Sequence, residues 1–130
     1  MKGAVAISCL LLSLAAGRAA GQQPATWPAA GAVEQIFGRP LTSLPAGVFI
    51  VRFPRIDLAV SVGEVRLKPP FALTSWVAFL PVEGGAVAMG DLVVTVEESA
   101  PVMRALEAGG VEVAALHNHL LGEMPRIMYM

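Results

Sequence analysis

Between Gly47 and Glu98 the chain never settles into helical spacing; it is a series of short apolar stretches broken by proline and glycine. "GVFIVRFPR" (Gly47–Arg55) is dense in β-branched and aromatic residues and is ended by Pro54. "DLAVSVGEVRLKP" predicts two short strands around Gly63, with Leu58, Val60 and Val62 alternating against Ala59 and Ser61. "ALTSWVAFLPV" predicts a strand that puts Trp76 and Phe79 on opposite faces. Gly84-Gly85 turns the chain into "AVAMGDLVVTVEE", a longer strand with a bulge expected at Gly90. A chain divided in this way builds a sheet from hairpins, and does not build repeated strand–helix–strand units.

Helical spacing lies outside this region. "SAPVMRALEAGG" predicts a helix over about 99–108, with Ser99 as N-cap and Pro101 in the first turn. Val102, Ala105 and Leu106 form its apolar stripe, and Gly109-Gly110 stops it. A shorter helix is expected over about 32–37, where Val33, Ile36 and Phe37 share a face before Gly38 and Pro40. After the second helix "VEVAALHNH" alternates as a strand, and "RIMYM" begins another. The order helix, strands, helix, strand, strand specifies an α+β fold with a mostly antiparallel sheet.

The N-terminus has a different character. Met1-Lys2 is a positive start, Gly3 to Ala16 is apolar, and "GRAAGQQ" supplies small residues for cleavage before Ala20 or before Gln22. The apolar run falls short of the roughly 20 residues of a membrane span, so residues 1–21 read as a secretory signal peptide. Residues 22–31 then form a flexible lead-in with Trp27 as an anchor, and 32–130 form a single domain. An exported protein is expected, in the periplasm, the cell envelope or outside the cell. Cys9, the single cysteine, lies within the apolar run, so the processed chain carries no disulfide. Processing removes Lys2 and Arg18 and leaves seven basic against ten acidic residues, a net charge of −3. No basic cluster remains, which excludes an electrostatic nucleic-acid footprint; no stable membrane span remains either.

Both histidines of the chain lie in "ALHNHLLGE". On an extended strand His117 and His119 share one face roughly 7 Å apart at the backbone, from about 3.3 Å of rise per residue. Their nitrogens can converge on one ion, and Glu123 can swing in after a turn at Leu120-Leu121-Gly122. Two imidazoles and a carboxylate make a frequent ligand set for Zn, Fe or Mn as divalent ions. The plainer reading is a polar strand end whose rings bond backbone or water; acid–base chemistry by imidazole without metal is a third. Asp91, a carboxylate in an apolar strand, either joins the site as ligand or orienter, or caps a bulge. Glu97 and Glu98 suit the positive end of the following helix. Arg126 is expected to pair with Glu123, and Asn118 points away from the histidine face to satisfy backbone groups. Met124, Met128 and Met130 invite a copper reading, though apolar packing is the default for thioethers.

The HxHxxxE spacing matches the cupin metal motif but not its context: a capped helix directly precedes it, and Met130 stands where a glycine belongs. Read together, Ser75-Trp76 with Phe79, Met89-Gly90-Asp91-Leu92, Pro101-Val102-Met103, Ala115-Leu116-His117-Asn118-His119 and Pro125-Arg126 with Met128 resemble the LppY/LpqO family of bacterial envelope proteins. The resemblance runs from about Ala32 to Met130. It implies an exported bacterial protein of uncharacterised function, and it brings no established activity. It also implies a further histidine-containing strand and a helix beyond Met130, so the domain reads as incomplete at its C-terminal end. An uncovered sheet edge near Met130 would favour self-association. Three functions stay open: an exported binder of a divalent metal or small ligand, a non-catalytic envelope or interaction module with structural histidines, and a metal-dependent enzyme.

Overall fold

The computed structural model describes residues 26–130, so the signal-peptide reading of residues 1–21 lies outside the described residues. Helix α1 (Ala30–Phe37) is followed by β1 (Thr42–Ser43), β2 (Phe49–Pro54) and the short hairpin β3 (Ser61–Val62)–β4 (Val65–Arg66). A single helical turn, α2 (Pro69–Ala72), leads into β5 (Thr74–Val82), β6 (Gly85–Asp91) and β7 (Val93–Thr95). Helix α3 (Val96–Ala108) precedes β8 (Glu123–Met124) and β9 (Ile127–Tyr129). The strands pair as β1-β2-β5-β6, β4-β3-β8 and β7-β9, and all of these pairings are antiparallel. The fold is α+β. No described helix is long and apolar enough to cross a membrane.

One face of the four-stranded sheet is covered by aromatic rings from the N-terminal segment. Trp27 packs on Phe49 and Phe79 at 5.5 and 5.6 Å, and Phe37 packs on Phe53 and Phe79. The lead-in is therefore anchored from Trp27 onward. Helix α1 starts at Ala30, two residues ahead of the sequence expectation, and Ile36 stays 78% exposed while Phe37 makes the packing contacts. A second core gathers Val60, Leu67, Leu73, Val93, Ile127 and Tyr129 where the three sheets meet. Each such side chain contributes about 1.5–3 kcal/mol by leaving water.

Three local expectations are corrected. Helix α3 begins at Val96, with Thr95 as N-cap, because Thr95 and Glu98 satisfy each other's backbone donors in a capping box. Ser99 lies inside the helix and donates to the Thr95 carbonyl, and Pro101 sits in the second turn. Gly90 forms no bulge: it pairs regularly with Val77, and its missing side chain is required because a Cβ would stand 2.7 Å from the Trp76 carbonyl oxygen. The break in this region falls at Leu92, which exchanges backbone hydrogen bonds with Met130. Residues 111–116 form no strand despite their alternation; pairing begins at His117, where a backbone partner, Tyr129, is within reach. Tyr129 on β9 pairs with Val93 on one side and with His117 on the other, and the edges of the four-stranded sheet are β1 and β6.

Arg55 ties α3 to this framework. Its guanidinium donates to the Val93 carbonyl at 2.7 Å, to both Glu98 oxygens at 2.9 and 3.0 Å, and to Asp57. The pairing with Arg55 holds the Glu98 carboxyl below the usual carboxylate range, helped by the Thr95 N–H, and the same guanidinium lowers Asp57. A carboxyl depressed in the folded state stabilises it fully above its ordinary titration range and loses that stabilisation as pH falls through the depressed value. Acidification below the ordinary carboxylate range is therefore expected to lower the denaturant midpoint more in the wild type than in Arg55→Met, as read from urea curves across pH. Parallel curves would show that the network contributes nothing to stability.

Candidate functional site

The histidine segment is aimed by strand geometry. His117 and Tyr129 exchange both backbone hydrogen bonds, at 2.9 and 2.8 Å, which sets the neighbours of His117 on the face opposite to its ring. His117 and His119 come together as expected, with their Nε2 atoms 2.9 Å apart. At that distance one Nε2 carries a proton and donates it to the lone pair of the other. The His119 ring stacks on Tyr129 at 3.6 Å and 14° between planes. Tyr129 is fixed in turn by its hydroxyl, which donates to the Ala72 carbonyl at 2.8 Å. Burial first, then the nearby Asp91 and Glu123 charges, push the Tyr129 hydroxyl above its ordinary range, so it remains a neutral donor.

Asp91 ends β6 on the histidine side. Its Oδ2 lies 3.7 Å from His119 Nε2, and its Oδ1 is buried without a hydrogen-bond partner. Asp91 thus stands beside the histidine pair, while the bulge it would have capped does not exist. Both imidazoles are exposed, so the centre opens to solvent.

Glu123 takes another place. It is 1% exposed, accepts a hydrogen bond from the Asn118 amide at 3.3 Å, and lies 3.9 Å from Arg126. Asn118 also donates to the Ile127 carbonyl at 2.9 Å, so it turns from the histidine face and satisfies a backbone group. Glu123 Oε2 is left unpartnered in the interior, and the turn that brings it there uses Gly122 at φ 75°. Of the four residues singled out as ligands, the structure gathers His117, His119 and Asp91, and sets Glu123 against Asn118. Among the described residues no group of three or more His, Cys, Asp and Glu is already arranged to hold a metal ion. Met128 touches Asn118 through its sulfur and Met124 is 72% exposed, so these thioethers do not converge on the histidines.

Sequence reasoning did not single out Tyr129 as part of this centre. Its signal was faint: it is the chain's only tyrosine, on an alternating segment whose partner could not be known in advance. The arrangement is a paired-imidazole centre with an adjacent carboxylate, at a strand end of an α+β scaffold. The chain belongs to the family described as Domain of Unknown Function (DUF1259), whose model matches residues 31–130. No curated protein and no solved structure matches it significantly.

Proposed function

We propose that this is an exported protein that binds one divalent transition metal through Nε2 of His117 and Nε2 of His119, with Asp91 as carboxylate donor. The carrying observation is the 2.9 Å approach of the two Nε2 atoms. Neighbouring donors on a tetrahedral zinc stand about 3.3 Å apart, given bonds of about 2.0–2.1 Å. The 2.9 Å and 3.7 Å separations bracket that value. The unpartnered Asp91 oxygen supports the same reading, since a buried carboxylate oxygen without a partner is costly and a cation would satisfy it. Zn, Fe and Mn as divalent ions all suit such donors. Two imidazoles and one carboxylate leave a coordination position for solvent or substrate, which keeps metal-dependent catalysis as the stronger form of the reading. The weaker form is an envelope module in which the rings only shape the surface. Elemental analysis of chelator-treated protein after dialysis against zinc is expected to show about one metal per chain; protein that retains none would end the proposal.

Export is supported by the three-part pattern of residues 1–21 and by the resemblance to LppY/LpqO envelope proteins. N-terminal sequencing of the protein recovered from the envelope or medium is expected to start at Ala20 or Gln22. Recovery of an intact Met1 terminus from the cytoplasmic fraction would refute it.

Self-association is the partner reading that one observation favours. Edge strand β6 is exposed along Gly85–Gly90, lacks charge and proline there, and leaves Val87 and Met89 in water at 59% and 68%. Antiparallel pairing of two β6 strands about Ala88 would set Val87 against Met89 of the other copy. Wild-type protein is expected to sediment as a dimer at high concentration and Val87→Lys as a monomer; a monomeric wild type would dismiss the edge.

A further inference from the structure

The face of the four-stranded sheet opposite α1 carries an open groove. Register places Arg52, Trp76 and Asp91 side by side across β2, β5 and β6, and directly opposed residues of antiparallel strands project to one face. Pro54 and Thr74 form the next pair along the same face. The turn α2 closes this end with Pro69, Pro70 and Phe71, and the resulting open groove has a volume of about 380 Å³. That lies within the usual range of small-molecule sites, about 300–1,000 Å³.

Its chemistry is lopsided. Trp76, Phe71 and the prolines make a flat apolar bed, and Phe71 stays 77% exposed, an aromatic ring left in water. The one charge in the lining is Arg52, which has no ion-pair or hydrogen-bond partner among the described residues. Arg55, three residues on, is the contrast: all of its donor nitrogens are engaged by Asp57, Glu98 and the Val93 carbonyl. A guanidinium held beside aromatic and proline surfaces, with its donors free, matches a planar anion attached to an apolar body.

We infer that this groove binds a small carboxylate with a flat apolar body, the carboxylate on Arg52 and the body against Trp76 and Phe71. Two strand spacings of about 4.8 Å separate Arg52 from Asp91 along the row. A ligand of that length has its far end beside Asp91 and hence beside the histidine pair, which makes the groove the substrate side of the same centre. This last link rests on the proposed metal reading; binding to the groove does not.

Calorimetry of the full chain with 3-phenylpropanoate, and with the neutral 3-phenylpropanamide, separates the two claims. In metal-free protein the acid is expected to bind with one-to-one stoichiometry and the amide at least about tenfold more weakly, as a lost charge-assisted hydrogen bond requires. Arg52→Gln is expected to bind the acid no better than wild type binds the amide, while keeping the wild-type melting point and zinc uptake. Equal binding of acid and amide, undiminished binding by Arg52→Gln, or no saturable binding at all would overturn the groove. Zinc loading of the wild type is expected to change the affinity for the acid. Unchanged affinity in protein shown to hold zinc would break the link to the histidines and leave the groove standing, whereas protein that takes up no zinc would refute the metal reading alone.

Discussion

His117→Ala is expected to weaken zinc binding by more than about 100-fold and to leave no stoichiometric metal after dialysis. Loss of groups that merely orient a ligand costs about 10–100-fold in metal affinity, so loss of a donor nitrogen should exceed that range. Tyr129→Leu supplies the lower comparison. It removes the ring stacked on His119 and the hydroxyl bonded to Ala72, but no donor, and should fall within about 10–100-fold if it remains folded. Arg126→Ala, on the Glu123 side of the segment, is expected to retain wild-type uptake. Competition titration against a chromogenic chelator measures all three. His117→Ala binding as tightly as wild type would rule out the imidazole pair, whatever the wild type itself takes up.

Ile127→Ala should cost about 2–5 kcal/mol of stability. Ile127 is fully buried in β9 among Val60, Leu67, Leu73, Val93 and Tyr129, and deletion of buried methyl and methylene groups leaves a cavity that surrounding side chains fill only in part. For a domain of this size that corresponds to a drop in melting temperature of about 10 °C or more. Ile36→Ala makes the control, since its side chain stays in water and the change is expected within about 0.5 kcal/mol. Equal losses at the two positions, measured by thermal or urea unfolding, would place the core elsewhere. Because Tyr129 follows on the same short strand, Ile127→Ala should also reduce metal retention, and a metal-loaded sample should melt higher than the metal-free one.

Much of the strand pattern was legible because alternation and turn residues are local signals. Phe49–Pro54, the hairpin about Gly63, the strand through Trp76 and the turn at Gly84-Gly85 all lie where spacing put them. Errors arose where a local signal had two outlets. Ser99 and Thr95 are both competent caps, and Thr95 prevailed because Glu98 could return its hydrogen bond and Arg55 could hold Glu98 from a distant strand. Val111 to Leu116 alternate as a strand should, yet alternation makes a strand only where a neighbour offers backbone partners. Gly90 read as a bulge, whereas its role is to admit the Trp76 carbonyl.

Residue order by itself determined the α+β class and the antiparallel habit of the strands, and it set His117 and His119 close enough to meet, while the bridge to Tyr129 supplied the backbone that brings their rings together. Tertiary structure alone decided that Asp91 joins them and that Glu123 turns to Asn118 and Arg126. It also decided that Tyr129 braces the rings and that Arg52 lies in line with Asp91. Those outcomes depend on which strands pair and in what register, and register is fixed by burial of whole faces at once, which no short stretch of sequence contains.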